Sequence, residues 1–188
     1  MLTWEELENQ CRNCTWCNLS HSRNNVVFGV GRKDADIMFV GEGPGEQEDN
    51  LGEPFVGAAG KLLDDMLSII DLNRDNVYIA NIVKCRPPHN RDPKPEEEDS
   101  CIGFLINQIA LVQPKIVVCL GRVAARRLIR SDFRVTDEHG KWIEKNGILY
   151  MGTYHPSALL RDVLKRPDAF VDLLEIRRMT QQLNCSIV

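Results

Sequence analysis

The sequence lacks long apolar runs, an excess of positive charge and a high aromatic content. None of its apolar stretches approaches the roughly 18 residues that a membrane-spanning helix needs, so we expect no membrane partner. Aromatic residues make up 6% of the chain and the formal net charge is −4. That charge argues against a protein that coats nucleic acid through bulk charge alone. A local basic face remains compatible, because affinity for phosphates depends on where the cations lie.

We expect no signal or transit peptide. The sequence begins with the acidic, amphipathic stretch MLTWEELENQ, which has the character of neither kind of segment. We therefore expect a cytoplasmic protein in a reducing compartment, where disulfides are disfavoured. Seven cysteines are present nonetheless, and in such a compartment they call for an explanation other than cross-linking.

Short apolar runs alternate with stretches of helical spacing along the whole chain. We predict strands at 36–40, 77–83, 116–120 and 148–153, with 142–143 as a possible hairpin partner of the last. We predict helices at 3–11, 58–70, 95–112, 123–130 and 167–183. Strands alternating with helices indicate right-handed βαβ units and a mainly parallel sheet covered on both faces. No linker or repeat interrupts the pattern, so we expect a single domain over residues 1–188.

Four of the cysteines form a candidate metal centre. Cys14 and Cys17 stand in a C-x-x-C pattern, a common half-site for zinc or an iron–sulfur cluster. Cys85 ends the second predicted strand, and Cys101 lies in the helix that returns alongside the sheet. Cys11 is a third candidate for the two C-x-x-C positions. The spacing leaves zinc and iron–sulfur both open, since four thiolates suit either.

The alternative interpretation is that these cysteines are buried and inert, because cysteine is among the residues most often buried. We expect that role for Cys119, in the third predicted strand, and for Cys185, near the end of the last helix. A C-x-x-C in a polar loop beside a further cysteine favours a metal centre instead.

Unusual sequence follows the predicted strands, at the edge where ligands bind in open α/β sheets. GEGPGEQED follows the first strand; it lacks the Lys-Ser/Thr ending of a phosphate-binding loop, so a plain tight turn is an equal alternative. Phe55 lies just before a helix, Asn81 interrupts an apolar strand, and His155 ends another. Taken alone, each of these three residues has an ordinary structural role: Phe55 as a core residue, Asn81 as a hydrogen-bonding residue at a strand end, and His155 as a hydrogen-bonded histidine. Together they provide an aromatic platform, an amide and a histidine, which a flipped nucleobase requires.

Several ordered motifs resemble the iron–sulfur uracil-DNA glycosylases of family 4. They are GEGPGEQED, GEPFVGAAGKLLD, NIVKCRPPHNRDP and HPSALLR, together with the spacing of the four cysteines. The similarity extends from about Cys14 to the last helix. It implies a three-layer α/β/α domain with a four-stranded, mainly parallel central sheet. It also implies removal of uracil from single- and double-stranded DNA, leaving an abasic site, in base-excision repair of deaminated cytosine.

The resemblance further implies the roles of individual residues. A [4Fe–4S] cluster would be held by Cys14, Cys17, Cys85 and Cys101. The uracil site and the catalytic groups would be drawn from one further set: Gly41, Glu42, Gly43, Phe55, Asn81 and His155. In that set Phe55 stacks on the base, Asn81 reads its polar edge and His155 lies near uracil O2. Glu42 is nominated to position the attacking water, although a dissociative route with little base catalysis is the alternative.

For DNA, Leu159 is the expected wedge that enters the duplex, and thymine is excluded sterically by the GEGPGEQED segment. The expected backbone contacts are Arg86, Arg91 and Arg161, with Lys165 and Arg166 nearby. The helix that carries Arg122, Arg126, Arg127 and Arg130 is interpreted as a solvated face. We expect a monomer, and a sliding-clamp contact is not readable from the sequence.

Three further hypotheses stay open at this point. A cluster-bearing module could recognise uracil in DNA without excising it, and a zinc protein could bind RNA or a nucleotide. Covalent capture of DNA by His89 is a third hypothesis, although an exposed loop residue is the simpler interpretation of that histidine.

Overall fold

The computed structural model describes residues 2–186, and within that range the strands form one mixed sheet. The six strands are β1 (Val30–Gly31), β2 (Ile37–Gly41), β3 (Tyr78–Asn81), β4 (Ile116–Leu120), β5 (Trp142–Lys145) and β6 (Ile148–Thr153). Their order across the sheet is β1-β3-β2-β4-β6-β5. The four inner strands run parallel, while β1 and β5 pair antiparallel at the two edges.

The predicted four-stranded sheet is therefore wrong in its number of strands. The four predicted strands are the four parallel ones, and the optional hairpin partner is present as β5. The strand β1 was not predicted, because two residues are too short for any alternation of apolar and polar side chains to show. The α/β class is confirmed, with a mixed rather than a mainly parallel six-stranded sheet.

Eight α-helices accompany the sheet within residues 2–186. They are α1 (Trp4–Arg12), α2 (Glu46–Leu51), α3 (Ala58–Ile69), α4 (Pro95–Val112), α5 (Arg122–Leu128), α6 (Val135–Glu138), α7 (Pro156–Arg161) and α8 (Arg166–Gln182). At the start of α1, Thr3 and Glu6 form a capping box, in which each side chain accepts a hydrogen bond from the other's backbone N–H. No helix of the described chain is long and apolar enough to cross a membrane.

The helices cover both faces of the sheet, because side chains of neighbouring strand residues point to opposite faces. Met38 and Val40 pack in one buried cluster with residues of α1, α4 and α5. Ile37 and Phe39, on the same strand, pack in a second cluster with residues of α3, α7 and α8. The five residues of β2 are all buried, as a central strand between two helical layers requires.

The register of the parallel strands brings the unusual segments to one edge. Gly41 lies beside Asn81 where β2 and β3 end, and Leu120 lies beside Thr153 where β4 and β6 end. The loops that follow these strands therefore meet at the carboxyl edge of the sheet, where open α/β sheets bind their ligands.

Candidate active site

A cleft of about 790 Å³ opens at the carboxyl edge of the sheet. The sequence-predicted residues that line it are Glu42, Gly43, Phe55, Asn81, Arg91, His155, Arg161 and Lys165. They come from segments far apart in the chain, which the parallel register draws together. The predicted residues outside this lining set are Gly41, Arg86, Leu159, Arg166 and the four cysteine ligands. The structure thus assembles most of the predicted base-binding residues in one place.

Asn81 ends β3 at the floor of the cleft, and its side chain is 2% exposed. Among the buried side-chain nitrogen and oxygen atoms of residues 2–186, its Oδ1 is the one without a hydrogen-bond partner. A buried acceptor left unpaired costs about 1–3 kcal/mol, so such an atom calls for an explanation. Gly41 leaves room for it, since a Cβ there would lie 2.5 Å from Asn81 Oδ1 and 2.5 Å from Phe55 Cζ.

Phe55 is held in a left-handed backbone conformation, with φ of 55°. This region is unfavourable for a bulky side chain and persists only where the surroundings enforce it. Gly60 permits this conformation, because a Cβ there would lie 1.7 Å from the carbonyl oxygen of Phe55. The Phe55 ring lies nearly parallel to that of His155, with centroids 5.5 Å apart and planes at 27°.

Two charged side chains fix the Phe55 segment from either side. Glu48 accepts hydrogen bonds from the backbone N–H groups of Val56 and Gly57 at 2.9 and 3.0 Å. The Arg74 guanidinium donates to the Pro54 carbonyl at 2.9 Å and also to the carbonyl of Phe55. The aromatic ring is therefore positioned in advance of any ligand, by contacts to the backbone around it.

His155 is a neutral hydrogen-bond donor at pH 7. Its Nδ1 accepts a hydrogen bond from the backbone N–H of Ser157 at 3.1 Å, so the proton of a neutral ring lies on Nε2. Burial, assisted by the charge of Arg161, lowers the pKa of His155 to about 4. Gly121 permits the close approach of this residue, since a Cβ there would lie 2.9 Å from His155 Cβ.

Glu42 also lines the cleft and lies within a small group of charges. Burial and the nearby negative charge of Asp92 raise the pKa of Glu42 to about 7. Asp92 also forms an ion pair with Arg122, and the positive charge of Arg122 opposes that rise. A carboxyl group that is partly ionised near neutral pH can accept a proton from water.

Leu159 is not available as a wedge, and that prediction is corrected here. Its side chain is 2% exposed and packs in the core beneath α7. Leu159 lies in the helix α7, where successive residues point in directions about 100° apart, so one of two neighbouring leucines faces the core. The exposed apolar side chains of the same stretch are Leu160, Val163 and Leu164, of which Leu164 is 84% exposed.

The predicted cations differ in how freely they can meet DNA. Arg161 and Lys165 line the cleft, and Lys165 forms only a longer ion pair, with Asp162 at 3.5 Å. Arg91 is engaged by Glu97 in a two-pronged ion pair with distances of 2.7 and 2.8 Å. Arg86 donates to the Asn90 side chain at 2.8 Å. Arg161 and Lys165 are therefore the better placed of these for a phosphate.

The segment of α5 and the residues just after it is predicted to be a solvated face. The structure places its arginines in two different surroundings. Arg122 and Arg126 line the cleft. Arg127 instead pairs with Asp99, and Arg130 pairs with Asp132 at 3.0 Å. All of these arginines except the half-buried Arg127 are exposed, as a solvated face requires, and Arg122 and Arg126 line the cleft as well.

The predicted cysteine ligands converge on a second, smaller cavity. Cys14, Cys17, Cys85, Cys101 and also Cys11 line it. All are free thiols. No group of three or more His, Cys, Asp or Glu side chains in residues 2–186 is arranged to hold a metal ion.

Two N–H groups point at the sulfur atoms of this cavity. Arg23 donates to Cys85 Sγ at 3.2 Å, and the backbone N–H of Lys84 donates to Cys101 Sγ at 3.2 Å. Such contacts stabilise the thiolate form that metal ligation needs. Arg23 also donates to the Cys14 carbonyl at 2.7 Å, so it joins the N-terminal segment to the loop that follows β3.

Sequence reasoning missed the residues that act on the site from outside it. Glu48, Arg74, Asp92 and Arg23 each act through a contact between distant segments, for which no local pattern exists. Lys84 carried a usable signal, since it directly precedes Cys85 in the NIVKC motif.

Comparison with known proteins agrees with this geometry. The model of the uracil DNA glycosylase superfamily matches residues 28–176. The type-4 uracil-DNA glycosylase of Thermotoga maritima is 45% identical over 168 residues, covering 86% of this chain and 88% of that protein. The type-4 enzyme of Archaeoglobus fulgidus is 43% identical over 170 residues, covering 85% and 84%. That of Sulfurisphaera tokodaii is 42% identical over 184 residues, covering 93% and 84%. The chain therefore belongs to the uracil DNA glycosylase superfamily.

Proposed function

We propose that the protein removes uracil from DNA by hydrolysing the N-glycosidic bond and leaving an abasic site. This reaction is the first step of base-excision repair of deaminated cytosine. The observation that carries the proposal is the buried, unpartnered Oδ1 of Asn81, which lies beside Phe55 at the floor of the cleft. Membership of the superfamily and the type-4 relatives support it.

Asn81 recognises the base through its Oδ1 atom, which has no hydrogen-bond partner in the free protein. Uracil presents an N3–H donor next to the O4 acceptor, which matches an amide oxygen and an amide N–H respectively. Cytosine presents an acceptor and a donor at the same two positions. A fixed amide would leave buried groups unpaired against cytosine, and that is the most discriminating form of rejection available to a pocket.

Phe55 provides the surface on which the flipped base stacks. Stacking on an aromatic ring contributes about 1–3 kcal/mol per base, and the segment that carries the ring is already held in place by Glu48 and Arg74. A base that leaves the duplex loses a few kcal/mol of stacking. The fixed ring offsets part of that loss without an ordering cost of its own. Steric exclusion of thymine by the GEGPGEQED segment stays a proposal.

His155 stabilises the departing base. When the bond from C1′ to N1 breaks, its electron pair remains with uracil, which becomes an anion with charge on O2. A neutral imidazole with its proton on Nε2 can donate a hydrogen bond to that oxygen. Donors fixed where charge develops lower the barrier, because they need no reorganisation during the reaction. The low pKa keeps His155 in this neutral form at physiological pH.

Glu42 is the proposed acceptor for the proton of the attacking water. The water oxygen bonds to C1′, and its proton passes to the Glu42 carboxylate. A pKa of about 7 makes the group partly ionised at neutral pH, which suits a general base. The alternative is a dissociative route in which the sugar cation forms first and little base catalysis is needed.

For DNA binding we propose that Arg161 and Lys165 contact phosphates at the rim of the cleft. Leu164 and Leu160 replace Leu159 as the apolar side chains that enter the duplex, because they are exposed where Leu159 is not. An apolar side chain inserted between bases offsets part of the cost of unstacking. Single- and double-stranded DNA are both proposed substrates, since the pocket reads the base alone.

Cys14, Cys17, Cys85 and Cys101 fit a [4Fe–4S] cluster by the chemistry of the donor set. Four free thiols line one cavity and two of them accept N–H hydrogen bonds. When bound, the cluster would cross-link the N-terminal segment to the loop after β3. We also propose a monomer that forms one domain over residues 1–188 and resides in the cytoplasm. The continuous sheet supports the single domain, and the free thiols fit a reducing compartment.

Release of free uracil from a uracil-containing oligonucleotide tests the proposed function. The rival is a cluster-bearing module that recognises uracil in DNA and leaves the bond intact. Excision predicts free uracil together with alkali-labile DNA. DNA retained whole in a stable complex would support the rival, and a covalent adduct lost in His89→Ala would support capture by His89.

A further inference from the structure

Lys84 is a buried cation without a carboxylate partner. Its side chain is 1% exposed, which places it among the largest fully buried side chains of residues 2–186. The ammonium group donates to the Asn81 carbonyl at 3.0 Å and to Gln108 Oε1 at 2.6 Å. Both acceptors are uncharged. Within the described chain no carboxylate forms an ion pair with this lysine.

A charge in such a position requires a compensating charge nearby. Buried ionised groups are strongly disfavoured unless they are paired, because neutral hydrogen bonds replace only part of the lost hydration. The side chain lines the cysteine cavity. Among the groups that line this cavity, the cysteine thiols are the ones that can become negatively charged, by losing their protons to a metal centre. The missing counter-charge therefore lies on the side of the cysteines.

We infer that Lys84 is the internal counter-charge of the anionic centre formed by the four cysteine thiolates and their cluster. The inference rests on the cluster assignment made under the proposed function. A cluster carried by four thiolates is anionic, and a fixed positive charge beside it favours the addition of an electron. Net charge, hydrogen bonds to sulfur and burial are the quantities by which a protein sets the potential of such a cluster.

The surroundings of Lys84 hold the ammonium in place. Gln108, which accepts from it, in turn donates to the Phe28 carbonyl at 2.9 Å and to the Tyr78 hydroxyl at 3.0 Å. Gln108 is fully buried. The same ammonium holds the carbonyl of Asn81, so the counter-charge also joins the cysteine centre to the residue that reads the base.

The test is the one-electron reduction potential of the cluster, measured by voltammetry on the iron-loaded protein. Lys84→Met removes the positive charge at similar volume. Gln108→Glu instead keeps the lysine and places a negatively charged carboxylate against its ammonium group. Lys141→Met is the matched control, because it removes one exposed lysine on a different part of the molecule. Iron and acid-labile sulfide are measured for each preparation.

Lys84→Met and Gln108→Glu should both shift the potential to lower values, while Lys141→Met should leave it at the wild-type value. If Lys84→Met does not fold with its cluster, Gln108→Glu decides the matter alone. A cluster-bearing form of either variant with the potential of the control would overturn the inference. Wild-type protein without iron would instead refute the cluster assignment, and uracil release, measured separately, reports on the proposed function.

Discussion

Replacement of Asn81 by alanine should abolish most excision without destabilising the protein. The substitution removes one acceptor and one donor from a buried site, so uracil N3–H and O4 both lose their partners. Each unpaired group costs about 1–3 kcal/mol. Two of them amount to about 2–6 kcal/mol, which corresponds to a fall in kcat/KM of about 30-fold to about 10⁴-fold.

The stability of the same variant, in contrast to its activity, should not fall. Because Asn81 Oδ1 has no partner in the free protein, alanine removes an unsatisfied group and breaks no hydrogen bond of that atom. The free energy of unfolding should stay the same or rise by about 1 kcal/mol. Asn76→Ala is the matched control: this asparagine is also buried, but its Oδ1 accepts from the backbone N–H of Asn73 at 2.9 Å. It should lose stability and keep kcat/KM.

The assay is single-turnover excision from a labelled oligonucleotide with one uracil, followed by alkaline cleavage at the abasic site. Thermal unfolding of the same preparations reports stability. Near-normal excision by a folded Asn81→Ala protein would refute the assignment of the pocket. An equal loss of activity in Asn76→Ala would show that stability, not recognition, explains the effect.

Three further outcomes are expected. The rate of excision should rise with pH through about 7 as Glu42 ionises, and Asp92→Asn should move that rise to lower pH, because it removes the negative charge that helps to raise the Glu42 pKa. Leu164→Ser should reduce excision from duplex DNA by about 10-fold to about 150-fold and leave single-stranded DNA unaffected, since burial of a leucine contributes about 1.5–3 kcal/mol. Cys85→Ser should lower iron and acid-labile sulfide and reduce stability.

Each of these outcomes has a control. Glu42→Gln should lose the pH-dependent rise altogether; its persistence there would assign the rise to another group. Val171→Ser, which changes an exposed valine of α8, should leave the ratio of duplex to single-strand excision unchanged. Cys185→Ser should keep its iron, and equal iron loss in Cys85→Ser and Cys185→Ser would contradict the ligand assignment.

The sequence predicted those parts of the fold that have a local pattern. The strands β4 and β6 and the helix α4 agree with their predicted bounds to the residue, because long periodic runs and an initial proline mark them clearly. The strand β1 has two residues and carries no pattern. The helices α2 and α7 have six residues each, about the length of a loop, and were missed for the same reason.

The site was predicted as a set of residues but not as an arrangement. Phe55, Asn81 and His155 could be brought together in advance, since each follows or ends an element at the same sheet edge. Leu159 and Leu160 could not be told apart, because which of them faces the core depends on α7 being a helix. The partner of Glu42 and the ion pair that engages Arg91 depend on contacts between segments, and only coordinates reveal those.

The central claim is that this cleft excises uracil, and release of the free base tests it most directly. Matched duplexes carrying uracil, cytosine or thymine at one position are incubated with the iron-loaded protein, and the released bases are identified by mass spectrometry. The account predicts free uracil from the first duplex and no base from the other two. Binding of the uracil duplex without release of uracil would contradict it.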